Sequence, residues 1–159
     1  MNAVVVTVSD RVSRGVAVDT SGPAAAEVLE RLGFFVNRID VVPDGIDSVS
    51  GALADLVDET DLVVTSGGTG FSPRDLTPEA TAAVIERPAP GLAEAMRAAT
   101  FGVNPHGMLS RGIAGIAGRT LIVNLPGSER GVRESLEVIG PALTHAVELV
   151  VDRQTDHNA

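Results

Sequence analysis

Aliphatic runs of strand length alternate along this chain with stretches of helical period, and that alternation leaves few ways to build a core. Ala3–Ser9 (AVVVTVS) is β-branched and continuous, the pattern of a strand covered on both faces. A polar loop then reaches Ser21-Gly22-Pro23, a helix start with proline in the first turn. Ala25, Val28, Leu29 and Leu32 follow at helical spacing, and Gly33 closes the helix. Phe34–Val42 reads as a second strand, and its Asn37, Arg38 and Asp40 place it near a sheet edge. Ile46, Val49, Leu53, Leu56 and Val57 give an amphipathic helix, and Asp61–Ser66 (DLVVTS) a third strand.

Further on, Thr77-Pro78-Glu79 is expected to cap a helix that ends before Arg87-Pro88. Leu92, Ala95, Met96 and Ala99 predict another. Met108–Ile116 and Arg119–Leu125 read as two extended arms of a ribbon around Ala117-Gly118. Ser128 is expected to cap a helix over Glu129–Ile139, and Pro141 to start a separate last helix through Val150. The expected organisation is one domain over residues 1–152 with a frayed polar tail at 153–159. Right-handed βαβ units of this kind stack into an α/β fold with a mostly parallel open sheet and helices on both faces.

Composition removes several function classes. The chain has no lysine, so its twelve basic residues are all arginine; Schiff-base chemistry and a P-loop lysine are absent. With no cysteine there is no thiolate zinc site and no thiol nucleophile, and a reducing compartment suits the chain. A net charge of −9 and the lack of Trp and Tyr argue against nucleic acid, and no apolar stretch approaches membrane length. The expectation is a cytoplasmic protein without a signal peptide.

In open parallel sheets ligands bind beyond the carboxyl ends of the strands. Four loops leave strand ends here: Asp10-Arg11 onward, Pro43-Asp44-Gly45, Gly67–Thr77 and Asn124–Ser128. Gly67, Gly68 and Gly70 let backbone N–H groups point at an anion, although three glycines alone fit a tight turn equally well. Asp44 and Asp75 follow different strands and could share a Mg²⁺ ion; Asp44 alone also suits a turn or helix cap, and Asp75 a surface pair with Arg74. Arg74, Ser110-Arg111 and Pro126-Gly127-Ser128 offer guanidinium groups, hydroxyls and a helix N-terminus to an anion. Each has a plainer reading as a strand edge or cap. His106 stands four residues before Ser110 without a nucleophile elbow, which disfavours a hydrolase triad.

Taken together, VSDR, the Pro43-Asp44 pair, TSGGTGFSPRDLTPEAT, LSRGIAGIAGRTLIVNLPGS and VRE resemble the MogA/MoaB family and the related domains of gephyrin type, from Val6 to about Val150. The resemblance implies a three-layer αβα sandwich, a homotrimer, and a molybdopterin adenylyltransferase using Mg-ATP. Its product would pass to a MoeA-type insertase. The alternative within the family is a non-catalytic, MoaB-like molybdopterin carrier. The resemblance further implies Asp44 and Asp75 as catalytic and Mg²⁺-binding residues, and Gly67, Gly68, Thr69, Gly70 and Arg74 as the nucleotide and phosphate loop. Ser110, Arg111, Pro126, Gly127 and Ser128 would line the molybdopterin pocket. One departure is Glu129, where many members carry proline; its charge would be unfavourable beside a phosphate.

Overall fold

The computed structural model describes residues 1–151, so the expected boundary at 152 and the tail at 153–159 lie outside the described residues. Six strands, β1 (Asn2–Val8), β2 (Phe35–Val42), β3 (Leu62–Ser66), β4 (Arg87–Pro88), β5 (Ala114–Ala117) and β6 (Thr120–Leu125), form one sheet in the order β2-β1-β3-β6-β5-β4. The pairs β1–β2, β1–β3 and β3–β6 are parallel, while β5 pairs antiparallel with both β4 and β6. The polar residues of β2 thus sit on an edge strand, as the sequence predicts.

Strand pleating divides the core in two, because successive side chains point to opposite faces. Ala3, Val5, Leu62, Val64, Leu121 and Val123 pack against α2 (Ser21–Arg31), α5 (Pro90–Thr100) and α6 (Glu129–Val150). Val4, Val6, Val8, Val63 and Ile122 pack against α3 (Ile46–Leu56) and α4 (Thr77–Ala82). A four-residue helix, α1 (Asp10–Ser13), follows β1, with the Ser9 hydroxyl accepting from the Val12 N–H as its cap. The three-layer αβα sandwich expected from the resemblance is the fold observed.

Three local expectations need correction. The ribbon is shorter than Met108–Ile116: Pro105–Leu109 is a turn of 3₁₀ helix and β5 begins at Ala114. The Asn104 side chain accepts from the His106 N–H to cap that turn, which competes with extended pairing. Pro141 does not open a new helix; α6 runs continuously through it. The missing N–H would have reached the Glu137 carbonyl, and both residues are exposed, so that carbonyl is not left in a dry core. Meanwhile Val132, Leu136, Ile139, Leu143 and Val147 keep one unbroken buried stripe across the proline. Thr77 is not a cap either: it lies inside α4, fully buried, and its hydroxyl donates to the Gly67 carbonyl at 2.9 Å.

Candidate functional site

All four parallel strands end at the same edge of the sheet, and their following loops meet there. Gly67 and Gly68 have φ of +105° and +66°, a region that favours glycine. A side-chain carbon on Gly67 would stand 2.3 Å from the Val8 carbonyl oxygen, so only glycine lets this loop lie against the end of β1. The turn leaves the N–H groups of Gly68, Thr69 and Gly70 without a hydrogen bond to any described residue. The loop that leaves β6 closes on it: the Ser66 hydroxyl donates to the Pro126 carbonyl at 2.9 Å, and the Gly67 N–H to the Leu125 carbonyl at 3.3 Å.

Two cavities adjoin at this edge. The larger, about 740 Å³, lies between the glycine loop, α5 and α6, and is lined by Gly68, Thr69, Gly70, Asp75, Ser110, Pro126, Gly127 and Ser128 among others. The smaller, about 290 Å³, lies over the ends of β1 and β3 and includes Thr7, Ser9, Asp19, Ser21, Asp44, Gly67 and Asp75. Gly68, Asp75 and Gly127 line both, so they form the seam. Sizes of this order suit small-molecule ligands.

Asp44 and Asp75 each commit one oxygen to the backbone. Asp44 Oδ2 accepts from the Asp10 N–H at 2.8 Å, and Asp75 Oδ2 from the Ser72 N–H at 3.0 Å. The Oδ1 atom of each accepts no hydrogen bond from a described residue, and Asp44 Oδ1 sits beside the Cα of Gly68. The two acids therefore do line one cavity. Asp44 does sit in the bend between β2 and α3, where its carboxylate also holds the first N–H of α1, whereas the Arg74–Asp75 pair is not formed because Arg74 pairs with Asp10.

The arginines behave otherwise than the resemblance implies. Arg74 grips Asp10 with Nε and Nη2 at 3.1 and 2.8 Å, and also donates to the Asp44 carbonyl at 3.0 Å. Arg111 Nε donates to the Gly70 carbonyl at 2.8 Å, its Nη2 to the Asp75 carbonyl, and its fork to the Glu79 carboxylate. The Arg111 guanidinium beside Glu79 holds that carboxyl below its ordinary range, and Glu79 in turn raises Arg111. Both guanidinium groups are engaged within the protein and tie the glycine-rich segment to its surroundings. Among the described residues no arginine lines either cavity.

Glu129 stands apart from both cavities. It pairs with Arg133 at 3.3 Å and is half exposed. Ser128 caps α6 as predicted, its hydroxyl accepting from the Gly131 N–H at 3.1 Å. Sequence reasoning quoted Asp19 and, within VRE, Glu134 among its motifs but gave them no role, and it overlooked Ser135 and Val138 on the α6 wall of the larger cavity and Thr7 and Ser21 in the smaller one. Asp19 Oδ2 accepts from the Thr7 hydroxyl at 2.7 Å, and its Oδ1 from the Gly22 N–H at 2.9 Å. The acid in VDTSG was visible in sequence; that it reaches back to β1 was not.

A metal here would be held sparsely. Among the described residues no group of three or more His, Asp or Glu forms a cage. Two carboxylates with one oxygen each to spare nonetheless fit Mg²⁺, which keeps most of its waters and takes one or two protein ligands.

Residues 4–145 match the family described as "Probable molybdopterin binding domain". The chain belongs to the MogA/MoaB family of molybdenum cofactor biosynthesis. It is 42% identical over 153 residues to a protein of Helicobacter pylori strain J99 named molybdopterin adenylyltransferase, covering 92% of this chain and 86% of that one. It is 41% identical over 157 residues to gephyrin of Dictyostelium discoideum, where it spans 92% of its own length but 22% of that larger protein. Its fold superposes on the molybdopterin biosynthesis enzyme MoaB of Thermus thermophilus with a TM-score of 0.91 and 46% identity, covering 96% of this chain and 97% of that one. Family membership thus agrees with the motifs that carry the glycine loop and both acids.

Proposed function

We propose that this protein adenylates molybdopterin, using Mg-ATP and releasing pyrophosphate. The observation that carries this is the seam: two adjoining cavities share Gly68, Asp75 and Gly127, beside unpaired N–H groups and two half-free carboxylates. A transfer between two bound ligands needs such a meeting place; a carrier of one ligand needs a single pocket. The relatives named molybdopterin adenylyltransferase support the same reading.

In the reaction, a terminal phosphate oxygen of molybdopterin bonds to the α-phosphorus of ATP. The bond from that phosphorus to the bridging oxygen breaks, and pyrophosphate leaves with the electron pair. Such chemistry asks for in-line positioning and charge neutralisation more than for a protein nucleophile. The amides of Gly68, Thr69 and Gly70 would bind phosphate oxygens, while Arg74 and Arg111 hold the loop in shape. Asp44 and Asp75 would hold Mg²⁺, which supplies the positive charge that neither cavity wall provides. Product would be handed to a MoeA-type insertase, and a homotrimer is the proposed assembly.

The test is to mix the protein with molybdopterin, ATP and Mg²⁺ and to separate adenylyl-molybdopterin by chromatography. Formation of product that stops when Asp75→Asn replaces the wild type is the expected result. Active molybdopterin that binds yet never becomes adenylated, under any divalent cation, would leave the carrier reading in its place.

A further inference from the structure

The α6 wall of the larger cavity carries chemistry that phosphate binding does not use. Gly131, Glu134, Ser135 and Val138 recur at i, i+3, i+4 and i+7, so they share one face of the helix, and all line the cavity. Ser135 is 8% exposed, and its hydroxyl makes no hydrogen bond to a described residue. That hydroxyl opens onto the cavity without a protein partner, so it is free to pair with a ligand atom. Glu134 stands beside it, with Oε1 accepting from Arg130 Nε at 2.6 Å and Oε2 left over. The facing lining, from α5 and the segment after it, mixes apolar Met96, Ala99, Val103 and Leu109 with polar Thr100, Asn104 and His106, and Glu137 lies further along α6.

A half-exposed carboxylate beside a hydroxyl, facing an apolar patch, suits the edge of a flat heterocycle. The choice of ring follows from hydrogen-bond polarity. A 2-amino-4-oxopyrimidine edge presents two adjacent N–H donors, which one carboxylate accepts together. Adenine presents a donor next to an acceptor lone pair, which a carboxylate repels. On the reading that this site joins a pterin to a nucleotide, we infer that Glu134 and Ser135 read the aminopyrimidinone edge of the pterin and reserve the larger cavity for it. Glu134 accepts the ring N–H groups, Ser135 donates to a ring acceptor, and Val138 covers a ring face. The nucleotide is thereby left to the smaller cavity, across the seam.

Pterin and lumazine differ only in a 2-amino against a 2-oxo group, and both fluoresce. The protein has no Trp or Tyr, so their emission can be titrated without protein background. Wild type should bind pterin more tightly than lumazine. Glu134→Gln, which offers one acceptor and an unwanted donor, should weaken pterin by roughly 10- to 100-fold and erase that preference. Ser135→Ala should weaken both rings by about 2- to 10-fold. Arg130→Gln, which breaks the same surface ion pair without touching the cavity, should leave pterin binding unchanged. Glu134→Gln binding pterin as wild type does, wild type failing to prefer pterin over lumazine, or wild type binding neither ring would each overturn the inference. Adenylation persisting in that case would preserve the proposed reaction; Glu134-dependent pterin binding without any adenylation would do the reverse.

Discussion

Gly68 is where the turn and the site coincide, and replacing it with alanine tests whether the loop is built as described. Its φ of +66° strains an alanine by about 1–2 kcal/mol. The added carbon would stand 2.3 Å from Thr77 Oγ1 and 3.2 Å from Asp44 Oδ1. Thr77 cannot yield cheaply, because it is fully buried, β-branched and bonded to the Gly67 carbonyl at 2.9 Å. Breaking that bond leaves buried polar groups unpaired, for roughly another 1–3 kcal/mol. The sum is about 2–5 kcal/mol, which for a chain of this size lowers Tm by roughly 5–20 °C. Gly70→Ala is the contrast. There the new carbon meets only the Asp75 carboxylate, with Oδ2 at 2.8 Å, which can swing aside at the cost of one exposed bond from the Ser72 N–H. Gly70→Ala should unfold within about 0.5 kcal/mol of wild type yet lose turnover, because Asp75 is displaced. Thermal and urea unfolding would be run beside the adenylation assay. A Gly68→Ala protein melting within about 2 °C of wild type would refute the argument that Thr77 and the left-handed backbone demand glycine.

Arg111→Lys should loosen the glycine loop and reduce turnover, since a point charge cannot span the Gly70 and Asp75 carbonyls and Glu79 together; undiminished turnover would show that the clamp is dispensable. Glu79 has its folded pKa lowered from 4.5, so its contribution to stability is present above the ordinary carboxylate range and is lost as pH falls through the folded value. The stability gap between wild type and Glu79→Gln should therefore be open at neutral pH and close on acidification, by urea titration; a gap that widens in acid contradicts it. Asn124 is buried, its Oδ1 accepting from the Ile113 N–H and its Nδ2 donating to Thr65 and Thr81, so Asn124→Ala should cost roughly 2–4 kcal/mol with an unchanged denaturant slope. Chelating divalent cations should stop adenylation while pterin fluorescence titrations stay unaltered, and Asp44→Asn should behave alike.

The strands were legible because a parallel sheet covered on both faces makes its central strands aliphatic throughout, as in Ala3–Val8 and Leu62–Val64. The glycine loop was legible because a positive φ against a neighbouring backbone admits almost nothing else. Thr77 misled because Thr-Pro-Glu is a capping pattern, and nothing local reveals that its hydroxyl is spent on Gly67. Arg74 and Arg111 misled in the same way. Their charge suits an anion, but the carboxylates of Asp10, 64 residues away, and Glu79, 32 away, claim them first.

Residue order alone determined the α/β class and pointed to the candidate edge and its two acids, because those depend on period, glycine and local chain direction. Tertiary packing alone decided which polar groups were already satisfied. It spent both arginines on carboxylates of this chain, and it set Glu134 and Ser135 of α6 on a cavity wall. A side chain's chemistry is written in its type, but whether that chemistry is free for a ligand depends on what the rest of the chain brings to meet it.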